Sequence, residues 1–139
     1  MTKEGREFAW LFLRLAVGAM MFGLHGWARL GKLYAYFILG QPWSFVSLVQ
    51  RIGFPMPAVF AVASALVESF GALLLLAGIQ TRWVALLMAV NMAVATAFEI
   101  GKGPSGGPEL AAMYLIPLLA LALGGAGRFS LDARRGGRR

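Results

Sequence analysis

The stretch PAVFAVASALVESFGALLLLAGI, Pro57–Ile79, decides the fold class. Its 23 residues suffice to cross a hydrocarbon core of roughly 30 Å at about 1.5 Å per helical residue. Glu68, at the centre, is the only charge in the run. A carboxylate at bilayer depth must be protonated, paired or turned toward a wet interior. The chain therefore reads as a membrane protein with a polar feature inside it.

Working outward, three more apolar runs emerge: Phe8–Trp27 (FAWLFLRLAVGAMMFGLHGW), Trp83–Ile100 (WVALLMAVNMAVATAFEI) and Leu110–Gly127 (LAAMYLIPLLALALGGAG). With 59% hydrophobic and 14% charged residues and a mean hydropathy of +0.71, the chain is too apolar for an ordinary soluble domain. Its 139 residues make a single domain. The expected fold is all-α, an integral membrane antiparallel four-helix bundle with an interfacial helix between spans one and two. The first run carries Arg14, is long for a signal-peptide core and lacks a clean small-residue cleavage site, so it reads as a retained span. Gln80-Thr81-Arg82 joins spans two and three so tightly that they should be antiparallel neighbours. Lys102–Pro108 (KGPSGGP) stops span three, and Pro108 opens span four. Pro117 inside span four reads as a kink rather than a break.

Ala28–Met56 is too long for a simple turn. Within it, Pro42–Gly53 places Phe45, Leu48, Val49 and Ile52 on one helical stripe, with Ser44, Ser47, Gln50 and Arg51 mostly off it. Trp43, Tyr34 and Tyr36 suit the headgroup zone, so a short interfacial helix is preferred over a re-entrant segment.

The net charge of +7 first suggests nucleic acid, yet the basic residues lie mostly at the chain ends and between apolar runs. Lipid headgroups and topology explain them more simply, and no nucleic-acid partner is assigned. Four spans put both termini on one side with Lys3, Arg6, Arg82, Arg128, Arg134, Arg135, Arg138 and Arg139. The other side keeps Arg29, Lys32, Arg51 and Lys102. That asymmetry favours cytoplasmic termini. The absence of cysteine excludes disulfides, thiol catalysis and cysteine-ligated clusters within the chain.

Several motifs together resemble the DoxX family. They are Arg14…Gly18…Phe22…His25-Gly26…Lys32 in span one and Glu68-Ser69-x-Gly71…Gly78…Thr81-Arg82 around span two. Gly106-Gly107-Pro108-Glu109 precedes span four, and Gly125-x-Gly127-Arg128-Phe129-Ser130-Leu131-Asp132-Ala133 closes the chain. The likeness runs from Arg14 to Ala133. It implies a small four-helix protein of the bacterial inner membrane. The family is named for a subunit linked to thiosulfate:quinone oxidoreduction, so the resemblance also implies a quinone and a soluble or membrane oxidoreductase partner. Where members work with thiols this chain departs, having no cysteine.

Two polar constellations are candidates. Arg14 and His25 lie three helical turns apart on one face of span one, and Arg14 is within reach of Glu68 on an antiparallel second span. Such a pair either fixes bundle register or belongs to a proton-handling path for a quinone or ion. At the opposite ends of the spans, His25, Lys32, Glu99 and Glu109 fall at one membrane level. There an imidazole beside carboxylates suits proton exchange at a quinone headgroup. The catalytic candidates are thus Glu68, Arg14, His25 and Glu109, and the cofactor-binding candidates are His25, Asn91 and Glu99. Asn91 in mid-span is expected to make an interhelical hydrogen bond. One histidine and two carboxylates scattered over three helices lack a diagnostic metal spacing, so no metal is assigned. Three functions remain open: a subunit of a quinone-linked oxidoreductase system, a non-catalytic anchor or scaffold for a soluble redox enzyme, or a small-solute or ion conduit formed by an oligomer. A homo-oligomer is compatible with each.

Overall fold

The structure is a computed structural model that describes residues 2–103 and 106–136. Pro104 and Ser105 of the expected loop and Arg138 and Arg139 of the basic tail lie outside the described residues. The described residues are mostly helical, with no strand among them. The first rod is α1 (Lys3–Met21), a single π-turn over Phe22–Gly26, and α2 (Trp27–Ile38), running without interruption. A short α3 (Ser44–Ile52) follows, then α4 (Pro57–Ala77), α5 (Thr81–Gly101), α6 (Glu109–Gly124) and a terminal α7 (Leu131–Gly136).

The rod Lys3–Ile38, α4 and α5 are each long and apolar enough to cross a membrane. At 16 residues, α6 extends only about 24 Å at the usual helical rise. It continues through Pro117 and stops at Gly124, because Gly125 takes φ +83°. Helix α1 packs on α4 and α6, α4 on α5, and α5 on α6, closing a ring of four. The core between them holds Val17, Met21, Leu75, Met88, Tyr114, Leu118 and Leu121. Outside it, Phe12 is 74% and Leu123 81% exposed. Apolar surface on this scale faces acyl chains rather than water.

Small residues set the register of α1 against α4. A Cβ on Gly18 would come within 3.1 Å of the Ala72 carbonyl oxygen, and one on Gly26 within 3.1 Å of Ser69 Cα. Ser69 Oγ donates to the Gly26 carbonyl at 2.9 Å, closing this approach with a buried hydrogen bond. Continuing the antiparallel register, Arg14 falls level with Gly78, where a Cβ would collide with its guanidinium. Gly78 also adopts φ +68° to end α4, so neither the turn nor the space admits a side chain.

The first helix does not end at Trp27, where the apolar run ended. ARLGKLYAYFI, 28–38, continues it, since no proline intervenes and Leu30, Leu33 and Tyr36 keep an apolar stripe. That stripe joins Trp43, Val49, Ala61 and Ala65 in a second core between α2, α3 and α4. The expected helix at 42–53 is thus present as α3. Its Trp43, read from sequence as suited to the headgroup zone, is buried at 7% exposure in this core.

Candidate functional site

Among the described residues two charged side chains are buried in the bundle, Arg14 at 3% and Glu68 at 4% exposure. They are not partners. Arg14 Nη1 donates to the Ala126 carbonyl at 2.9 Å and Nη2 to the Phe129 carbonyl at 2.7 Å. The expected Arg14–Glu68 pair fails because of register: Arg14 sits beside Gly78, ten residues or about 15 Å along α4 from Glu68.

Arg14 belongs to a clasp built by the closing motif. Asp132 Oδ1 accepts from the Gln80 amide at 2.7 Å and Oδ2 from the Thr81 amide at 2.9 Å, capping the first turn of α5. The Asp132 amide donates to the Gly78 carbonyl at 2.9 Å, and the Arg128 amide to Glu7 Oε2 at 2.7 Å. Ser130 Oγ donates to the Gly127 carbonyl at 2.8 Å and accepts from the Ala133 amide at 3.1 Å, folding the segment on itself. The residues that carry the closing signature therefore lock the ends of α1, α4, α5 and α6 together. Arg14 joins this clasp through the Ala126 and Phe129 carbonyls.

Glu68 has a different environment. Its Oε2 accepts from Arg29 Nε at 3.1 Å, and its Oε1 accepts from Asn91 Nδ2 at 2.9 Å. Ser64 Oγ lies 3.3 Å from Glu68 Oε1 and 2.9 Å from Asn91 Oδ1, with one proton to give to either. The Arg29 guanidinium also rests 3.8 Å over the Phe45 ring, a cation–π contact. The network ties α2, α3, α4 and α5 at one point.

That point is the polar corner of a cavity of about 500 Å³. Leu48, Ile52, Phe54, Phe60, Leu87, Val94, Ala95 and Phe98 line its apolar walls, with Ser64, Glu68, Asn91 and Arg29 at the corner and Glu99 also on the lining. The stripe Phe45, Leu48, Val49 and Ile52, read from sequence as the apolar face of α3, turns toward this cavity and α4.

The four residues expected at one level are not brought together. His25 sets its ring edge-on to Tyr114, with centroids 5.6 Å apart, and shares a separate cleft with Lys32. Glu99 pairs with Lys102 and accepts from the Gly107 amide at 3.2 Å, bracing the loop after α5. Glu109 is exposed in the first turn of α6 and lines neither cavity. Among the described residues no three His, Asp or Glu side chains gather as a metal site. The expected interhelical role of Asn91 is present. Arg29 was missed because the apolar run breaks just before it. The signal was there, in the unbroken stripe beyond it and its position four residues after His25.

The comparisons with known proteins agree with the motif reading. The DoxX family profile matches residues 9–99, which include Arg14, Arg29, Glu68 and Asn91. A protein of Haemophilus influenzae, described as uncharacterized, is 35% identical over 134 residues, covering 91% of this chain and 90% of its own. No solved structure matches. The chain belongs to the DoxX family of membrane proteins.

Proposed function

We propose that this protein is a membrane subunit of a quinone-linked oxidoreductase system and that the cavity beside Glu68 receives the quinone headgroup. The observation that carries the reading is an apolar cavity of about 500 Å³ with one polar corner, where Arg29 and Asn91 meet the Glu68 carboxylate. The volume falls within the range of roughly 300–1,000 Å³ typical of small-molecule sites, which combine apolar walls with a few placed polar groups. Quinone oxygens need hydrogen-bond donors, and Arg29 and Asn91 each carry further N–H groups at the corner beyond the one given to Glu68. A bound quinone supplies reversible two-electron, two-proton chemistry. The chain's contribution is to orient the headgroup, exclude water with apolar walls, and let the Ser64 hydroxyl turn its hydrogen bond between Glu68 and Asn91.

In this reading the protein spans the bacterial inner membrane four times, α6 included, with α3 at the interface. Both termini are cytoplasmic, supported by the excess of basic residues on that side. The test is calorimetric titration of a short-chain benzoquinone into the protein in lipid nanodiscs. Saturable binding, weakened at least tenfold by Ala95→Phe, which fills the cavity, is the expected result. A folded wild-type protein that binds no quinone, or an Ala95→Phe variant of equal affinity, removes the proposal.

One observation favours a second reading, the anchor or scaffold. Glu68 already has donors from three helices, so the network serves architecture even with the cavity empty of quinone. That reading expects a soluble redox enzyme to co-purify, and Glu68→Gln to lower stability without affecting turnover.

A further inference from the structure

A second cleft, of about 450 Å³, opens between α2 with its preceding π-turn and α3. His25, Arg29 and Lys32 reach it from the first rod at helical spacings of four and three, and Arg51 reaches it from α3. None of the described residues lining it is acidic. Arg29 is engaged with Glu68 on its other side, whereas Lys32 and Arg51 are exposed and have no ion-pair partner among the described residues. Like charges converging from two helices repel one another unless an anion enters between them.

We propose that this cleft is a binding site for a phosphate-class oxyanion, with Lys32 and Arg51 as its two flanking cations and His25 as an additional hydrogen-bonding wall. Two arginines and a lysine supply donors to several anion oxygens at once, and arginine in particular matches the geometry of a phosphate. The cleft exceeds a bare phosphate in size, and Leu24, Trp43 and Leu48 add apolar surface beside the cations. Arg29, Phe45 and Leu48 line both this cleft and the apolar cavity, so the two are neighbours. A phospholipid headgroup with its chain leading away along apolar surface and a free phosphate present the same chemistry to the cations. The proposal does not rest on what fills the apolar cavity.

The test uses the full chain, purified and exchanged into nanodiscs or a neutral detergent, alongside a Lys32→Gln/Arg51→Gln variant. Both positions are exposed, so the variant should fold, which its thermal unfolding checks. Native mass spectrometry compares retention of phosphatidylglycerol and phosphatidylcholine with identical acyl chains, and calorimetry titrates inorganic phosphate. Selective retention of phosphatidylglycerol, reduced about tenfold or more in the variant, supports a lipid-headgroup site. Saturable phosphate binding that the variant loses, without a lipid preference, supports a free-anion site. If wild type shows neither, or the folded variant matches wild type in both, the proposal is overturned. Quinone titration into the same variant keeps the readings apart, because its substitutions lie outside the walls of the apolar cavity.

Discussion

Arg14 and Glu68 are buried to almost the same degree, yet their surroundings differ in kind. Arg14 gives its hydrogen bonds to main-chain carbonyls of a turn. Glu68 takes its hydrogen bonds from side chains on neighbouring helices and on its own, beside a cavity. Main-chain acceptors are fixed by the path of the chain, so Arg14 has one arrangement. Side-chain donors have rotamers, and the Ser64 hydroxyl already faces two acceptors. Equal burial therefore accompanies a main-chain lock at one end of the bundle and a network of rotatable side chains beside a cavity farther along it.

The largest effect expected from this contrast is at the lock. Arg14→Met removes two charge-assisted bonds and leaves the Ala126 and Phe129 carbonyls without that donor. At roughly 1.5–3 kcal/mol for each bond to a charged group, the loss should be about 3–5 kcal/mol. Thermal or denaturant unfolding in detergent reads it. Arg14→Lys should recover only part, because one ammonium lacks the fork that spans two carbonyls. An Arg14→Met variant as stable as wild type would mean that Arg14 does not hold the clasp.

Asp132→Ala comes next. It strips both acceptors from the first turn of α5 while leaving Arg14 in place, and should cost about 2 kcal/mol. Asp132→Asn keeps one acceptor oxygen and should fall between. Amide hydrogen exchange at Gln80 and Thr81 should accelerate in the alanine variant before any global loss of structure. Unchanged protection at those two amides would mean that Asp132 is incidental to the clasp.

Helix existence and the membrane class were legible in sequence because hydropathy and length report them directly. The tight antiparallel connection of α4 and α5 was legible too, although the turn lies at Gly78–Gln80 rather than at Gln80-Thr81-Arg82, since Thr81 and Arg82 already belong to α5. Glu68 and Asn91 stood out because polar residues in apolar runs are expensive to keep. Their third partner did not. Arg29 lies where the apolar run gives way to alternating polar and apolar residues, which reads as a loop until the stripe Leu30, Leu33 and Tyr36 is seen packed on α3 and α4. Register was the other blind spot. A long arginine side chain could reach Glu68 at more than one register, whereas contacts of Gly18 with Ala72 and of Gly26 with Ser69 fix the sliding of the two helices to within a turn. The polar cluster at one membrane level failed for a related reason: a shared level says nothing about which faces meet.

The smallest of the three effects is at Glu68. In Glu68→Gln the new amide keeps one oxygen for Asn91 Nδ2 and can turn its NH₂ only toward another donor, Arg29 Nε. A fully buried pair broken in this way loses about 3–5 kcal/mol. Here the Arg29 side chain is 26% exposed and retains Phe45 beneath it, so the expected loss is nearer 1–2 kcal/mol. Arg29→Gln in the Glu68→Gln background should restore part of it, with a coupling energy of about 1 kcal/mol in the double-mutant cycle. A loss equal to that of Arg14→Met would make both charges locks and favour the scaffold reading. A small loss accompanied by weakened quinone binding would leave the network free to change partners, as a site must.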